Sequence, residues 1–147
     1  MRYRRLVTLV AVLVSCCAPA FAHHMAVVTQ KQSSVQNLSS VELGKIFRSD
    51  MKKWPNGRDI VIVINRNSSA SMEMLQRFTR LTGDKAKAFL AEHKSQFVVV
   101  DSDDQVLDTV STTVGALGVL GVRAIDNRIK VLKIDGKLPL EKDYLPD

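Results

Sequence analysis

The sequence predicts an α/β domain, a central mixed sheet flanked by helices, and three observations carry that expectation. Two short runs rich in β-branched residues, at 60–64 and 97–100, are apolar almost without a break, which is the pattern of strands covered on both faces. Each is followed by a polar stretch and then by apolar residues at helical spacing, so strands and helices alternate along the chain. No internal repeat, low-complexity tract or linker divides it.

The chain opens with Arg2, Arg4 and Arg5, an apolar run over 6–14 and Ala20-Phe21-Ala22, the small-x-small form of a signal-peptidase site. Residues 1–22 are therefore expected to be a signal peptide and residues 23–147 one exported domain. A competing cut exists at Leu13-Val14-Ser15-Cys16, which has the form of a bacterial lipobox and would leave a lipid anchor on Cys16. No later run reaches the roughly 20 apolar residues of a membrane span. Both cysteines, Cys16 and Cys17, stand in the leader, so the mature chain would offer no disulfide, thiol nucleophile or zinc thiolate.

Residues 25–29 read as a strand. Ser39 and Glu42 have capping-box spacing and open a short helix carrying Leu43, Ile46 and Phe47, expected to end near Arg48. Trp54-Pro55-Asn56-Gly57 reads as a turn that delivers the chain into the 60–64 strand. Met74, Leu75, Phe78 and Leu81 then mark a helix. A further helix is expected over 84–94, with Ala86, Phe89, Leu90 and His93 along one stripe. Ser102 and Gln105 repeat the capping-box spacing after the 97–100 strand and start a helix through Val106, Leu107, Val110 and Val114. Gly115 and Gly118 punctuate the next apolar piece, a last strand is expected over 129–134, and 138–147 reads as an irregular tail.

The loop between the 60–64 strand and its helix holds the densest chemistry. Arg66, Asn67, Ser68, Ser69 and Ser71 offer one guanidinium, an amide, three hydroxyls and the free N–H groups of a helix start, the donor set of an oxyanion cradle. The same serines also suit ordinary helix capping, and Glu73, expected in the first helical turn, complements the dipole without any ligand. Trp54 fits either a binding surface or a core plug beside the turn. Asp101, Asp103 and Asp104 could hold a metal or complement a helix dipole, and His23 and His24 could bind copper at a new N-terminus or form a plain tail.

Several segments together resemble the phosphate-binding proteins of bacterial ABC transporters. Ile46-Phe47, Trp54-Pro55-Asn56-Gly57, Arg66 followed by Ser69-Ala70-Ser71, and Gly115-Ala116-Leu117-Gly118-Val119 stand in the order of that family's I-F-x-G, W-x-x-G, R with S-G-T, and G-A-I-G-Y-V patterns. The resemblance implies a periplasmic-binding-protein-like domain, one lobe of the usual two-lobed type 2 architecture, similar to short single-lobe exported members. It also implies that inorganic phosphate or a similar oxyanion is held at Arg66 to Ser71, for transport or sensing. The hydroxyl positions of S-G-T are kept while alanine replaces its glycine, and Arg66 stands one residue nearer to them. A ligand-free accessory or sensory module docking on a membrane transporter or sensor is the other function this fold would allow, and a homodimer could rebuild a two-sided cleft.

Other classes find little footing. The net charge of +6 includes three leader arginines, so the mature chain carries 18 basic against 15 acidic residues, and with only 5% aromatics this is no nucleic-acid signature. No Ser-His-Asp order, metal-ligand spacing or phosphate-gripping glycine-rich loop with lysine is present, so neither an enzyme nor a cofactor is expected.

Overall fold

The computed structural model describes residues 24–145. The expected leader, the lipobox and His23 lie outside the described residues. Five strands form one sheet in the order β4-β3-β5-β1-β6: β1 Met25–Gln30, β3 Val61–Asn65, β4 Phe97–Val100, β5 Ala116–Gly121 and β6 Ile129–Val131. β3 runs parallel to β4 and β5, whereas β1 runs antiparallel to β5 and β6, so the sheet is mixed as expected. Two short strands, β2 Asn37–Leu38 and β7 Lys133–Ile134, pair in parallel beside it.

Alternation along the strands divides the apolar side chains between two layers. Ile62 and Ile64 of β3, with Val27, Leu117 and Val119, face α1 (Ser40–Phe47), α2 (Ser69–Thr79) and α3 (Gly83–Glu92). Val63, with Ala26, Val28 and Leu120, faces α4 (Asp103–Thr112) through Val106, Leu107 and Val110. Gly118 is the close-approach point of that second layer. A Cβ there would stand 2.8 Å from Val110 and 2.9 Å from Val106, so a larger residue would lift the helix off the sheet.

Local signals set most boundaries. Ser39 and Glu42 form the reciprocal capping box, with Ser39 N–H donating to Glu42 Oε2 at 2.8 Å and Glu42 N–H to Ser39 Oγ at 3.1 Å. Those donors hold the Glu42 carboxyl below its ordinary range. Trp54 is a core plug: it is buried, and its indole N–H donates to the Gly115 carbonyl at 3.1 Å. Gly115 itself has φ +82, and a Cβ there would collide with the Asp59 carbonyl oxygen.

Two expectations change, and a third gains a tertiary contact. The run 97–100 is an edge strand, with Val98 and Val99 37% and 38% exposed, because only β3 pairs with it and an apolar run cannot report its place in a sheet. The single strand expected over 129–134 splits at Leu132, whose N–H donates to Val27 at 2.9 Å, while Lys133 N–H turns to Gln36 at 3.0 Å, so its two halves join different sheets. The tail is irregular but tied down. Tyr144 is buried; its hydroxyl accepts from Val27 N–H at 3.2 Å and donates to the Leu132 carbonyl at 2.8 Å, and burial pushes its pKa up to about 12.

Candidate functional site

β3 and β4 end side by side, and α2 and α4 start immediately beyond them, so two helix N-termini meet at the carboxyl edge of parallel strands. That edge is where open α/β sheets place ligands. Asn65 ends β3, and backbone donation from Arg66 N–H to the Val100 carbonyl, 3.0 Å, joins the two loops.

All five residues of the expected cradle lie in this β3–α2 loop and first helical turn, in differing states. Ser68 is the N-cap, its Oγ accepting from Ser71 N–H at 3.4 Å and its carbonyl from Met72 N–H at 3.1 Å. The N–H groups of Ser69 and Ala70 are thereby left as the open donors of the helix start. Ser69 is exposed, whereas Ser71 is fully buried: its hydroxyl accepts from Asn65 N–H and donates to the Val119 carbonyl, both at 3.3 Å. Ser71 thus ties β3, α2 and β5 together. Glu73 falls beyond the first turn, because α2 starts at Ser69, and pairs with Arg77 at 3.5 Å; the first turn holds no acid.

The acids of the neighbouring loop, read from the sequence as a metal or dipole group, reach into this loop instead. Asp101 forms a short ion pair with the Arg66 guanidinium and, through its carbonyl, accepts from the Asn67 amide at 2.9 Å. Asp103 accepts from the Asn65 amide at 2.8 Å, and Asn65 Oδ1 accepts from Asn67 N–H at 2.9 Å. Asp101 hydrogen bonding pushes the Arg66 pKa further upward, so that residue stays cationic throughout. Asp104 belongs to another cluster, with Asp108 and Asp126 around Arg128 at 2.6–2.7 Å. Asp101 and Arg66 are 35 positions apart, and only the parallel β3–β4 pairing makes them neighbours.

Among the described residues, no group of three or more His, Cys, Asp or Glu is arranged to hold a metal, and no helix is long and apolar enough to cross a membrane. Among the described residues, concavities away from the loop include a groove of about 500 Å³ at the opposite end of the sheet, beside Trp54 and Arg58, and a smaller one of about 270 Å³ against α2 at Gln76 and Arg80.

The chain matches the family model described as PBP superfamily domain over residues 17–145. It is 31% identical over 123 residues to the phosphate-binding protein PstS of Bacillus subtilis (strain 168), a stretch covering 81% of this chain and 38% of that protein. Its fold is similar to the crystal structure of an ABC-type phosphate transport receptor from Vibrio cholerae, at a TM-score of 0.63 and 18% identity, over 78% of this chain and 47% of the receptor. PstS from Borrelia burgdorferi is similar at a TM-score of 0.60 and 17% identity, over 78% and 48%. This chain thus spans less than half the length of each of these proteins.

Proposed function

Because the chain belongs to the PBP superfamily, whose fold here is that of phosphate transport receptors, we propose that it is an exported solute-binding protein that holds phosphate or a similar oxyanion, reversibly and without chemistry, for transport or sensing. The leader over 1–22 would deliver it to the periplasm, either free or anchored through Cys16, as one domain over 23–147. The cradle is the α2 start with Arg66, Asn67, Ser68, Ser69 and Ser71. Its supporting observation is that the open N–H groups of Ser69 and Ala70 begin a helix whose first turn carries no acid, three residues after Arg66.

Each residue then has a separate part. Ser69 and Ala70 offer backbone donors, and Ser68 and Ser69 add hydroxyl protons. Ser71 positions the turn from beneath by holding Asn65 and Val119. Arg66 supplies the charge after turning away from Asp101, and Asn67 supplies an amide donor once it releases the Asp101 carbonyl. Arg66, Asn67 and Ser69 are exposed, so each contact forms in water and adds little, and binding by this loop alone is weak. A second copy of the chain or a membrane transporter that covered the loop would exclude water and tighten it.

Calorimetric titration with phosphate, with sulfate for comparison at constant ionic strength, tests this reading. Saturable heat that prefers phosphate in the parent protein and vanishes in Arg66→Ala is the expected result; identical heats in both proteins would remove the loop from consideration.

One observation favours a second reading. Arg66 and Asn67 are already satisfied by Asp101, as a loop locked for structure would be, so the domain could serve as a ligand-free accessory or sensory module that docks on a membrane partner. Absence of phosphate heat together with specific recovery of one membrane protein would establish that reading; recovery of none would count against it.

A further inference from the structure

We propose that the groove at the amino-terminal end of β3 and β5 is a second binding site, for a small carboxylate with a short apolar body. The groove, about 500 Å³, has the volume of a small-ligand pocket. It lies between the segment after β1, the turn before β3 and the Val114-Gly115 corner. Trp54 is fixed there by its bond to Gly115, and the left-handed Gly115 holds the corner against the Asp59 carbonyl.

Its lining has a definite chemistry. Among the described residues no aspartate or glutamate borders it, although the chain carries 15 acids. The nearest along the chain, Asp59, has its carboxylate held by Lys53 at 2.6 Å. The Arg58 guanidinium has no ion-pair or hydrogen-bond partner among the described residues, and the Gln32 amide and Ser34 hydroxyl are likewise uncommitted. Val35, Val114 and the edge of Trp54 supply apolar surface, with Val114 52% exposed. A planar guanidinium matches a carboxylate through two parallel N–H···O bonds, neutral amides and hydroxyls add direction, and the valines take a short hydrocarbon. The fully solvated phosphate ion gains nothing from those valines.

Trp54 is the one tryptophan of the chain, so it reports the groove directly. The full-length protein is titrated with butyrate while tryptophan fluorescence and the single indole N–H resonance are followed; butyramide and inorganic phosphate are the comparisons. Saturable butyrate binding, at least tenfold weaker for butyramide and for phosphate, is expected. Arg58→Gln should weaken butyrate at least tenfold, Val114→Asp should abolish it, and Arg66→Ala should leave it unchanged. A tripeptide with an apolar C-terminal residue, free or amidated at its end, distinguishes a polypeptide terminus from a free acid: tighter binding of the free-ended peptide than of butyrate identifies the terminus, and weaker binding identifies the small acid. No saturable change in either signal, equal response to butyramide or phosphate, or an Arg58→Gln protein that binds butyrate as the parent does would each overturn the proposal.

Discussion

The two ends of the sheet pose opposite electrostatic problems for an anion. At the carboxyl end, the Arg66 loop combines a guanidinium and open helix donors with Asp101 and Asp103, which already occupy the cation and the Asn65 amide. At the amino end, among the described residues, Arg58 is uncommitted and no carboxylate lines the groove. The first end has the proposed cradle and a competitor; the second has a cation with no partner among the described residues. A cation is therefore a binding group only to the extent that its own chain leaves it free, and neither exposure nor motif position reveals that.

Breaking the groove end should have the largest effect. Gly115→Ala places a Cβ against the Asp59 carbonyl at a left-handed φ, and should cost on the order of 3 kcal/mol, lowering the melting temperature by about 10 °C. The loop end should respond less to its own buried joint. Ser71→Ala leaves the Asn65 N–H and the Val119 carbonyl without their partner, a loss of about 2 kcal/mol measurable by urea unfolding.

Tyr144 is a control belonging to neither end. Its folded pKa, about 12, lies above the ordinary tyrosine value near 10, so the neutral phenol is favoured by folding. Its contribution is complete below pH 10 and is lost as pH rises from 10 through 12. Alkaline unfolding should steepen over that window in the parent protein and flatten in Tyr144→Phe, while the stability difference between the Gly115 and Ser71 variants should remain.

The sharpest test of the comparison itself is the smallest in energy. Asp101→Asn keeps the shape of the β4–α4 loop and removes the charge that competes for Arg66, so phosphate affinity should rise about threefold by calorimetry. An unchanged affinity would show that the acid crowding at this end has no bearing on binding.

Much of the fold was legible because its signals are local. Ser39 and Glu42 cap a helix through atoms three residues apart, Gly57 completes a turn begun at Trp54, and the 60–64 run is apolar because β3 is covered on both faces. The loop residues 66–71 were legible as a strand-to-helix turn for the same reason. What no local pattern could state is who stands beside whom. The edge position of β4, the split at Leu132, the return of Tyr144 onto Val27 and the pairing of Arg66 with Asp101 all depend on strand order and register, and these bring together residues tens of positions apart. The sequence alone showed that the loop over 66–71 carries the donor types of an anion cradle. The tertiary structure decided which are available, because a hydrogen bond or ion pair made within the chain satisfies the same group a ligand would need.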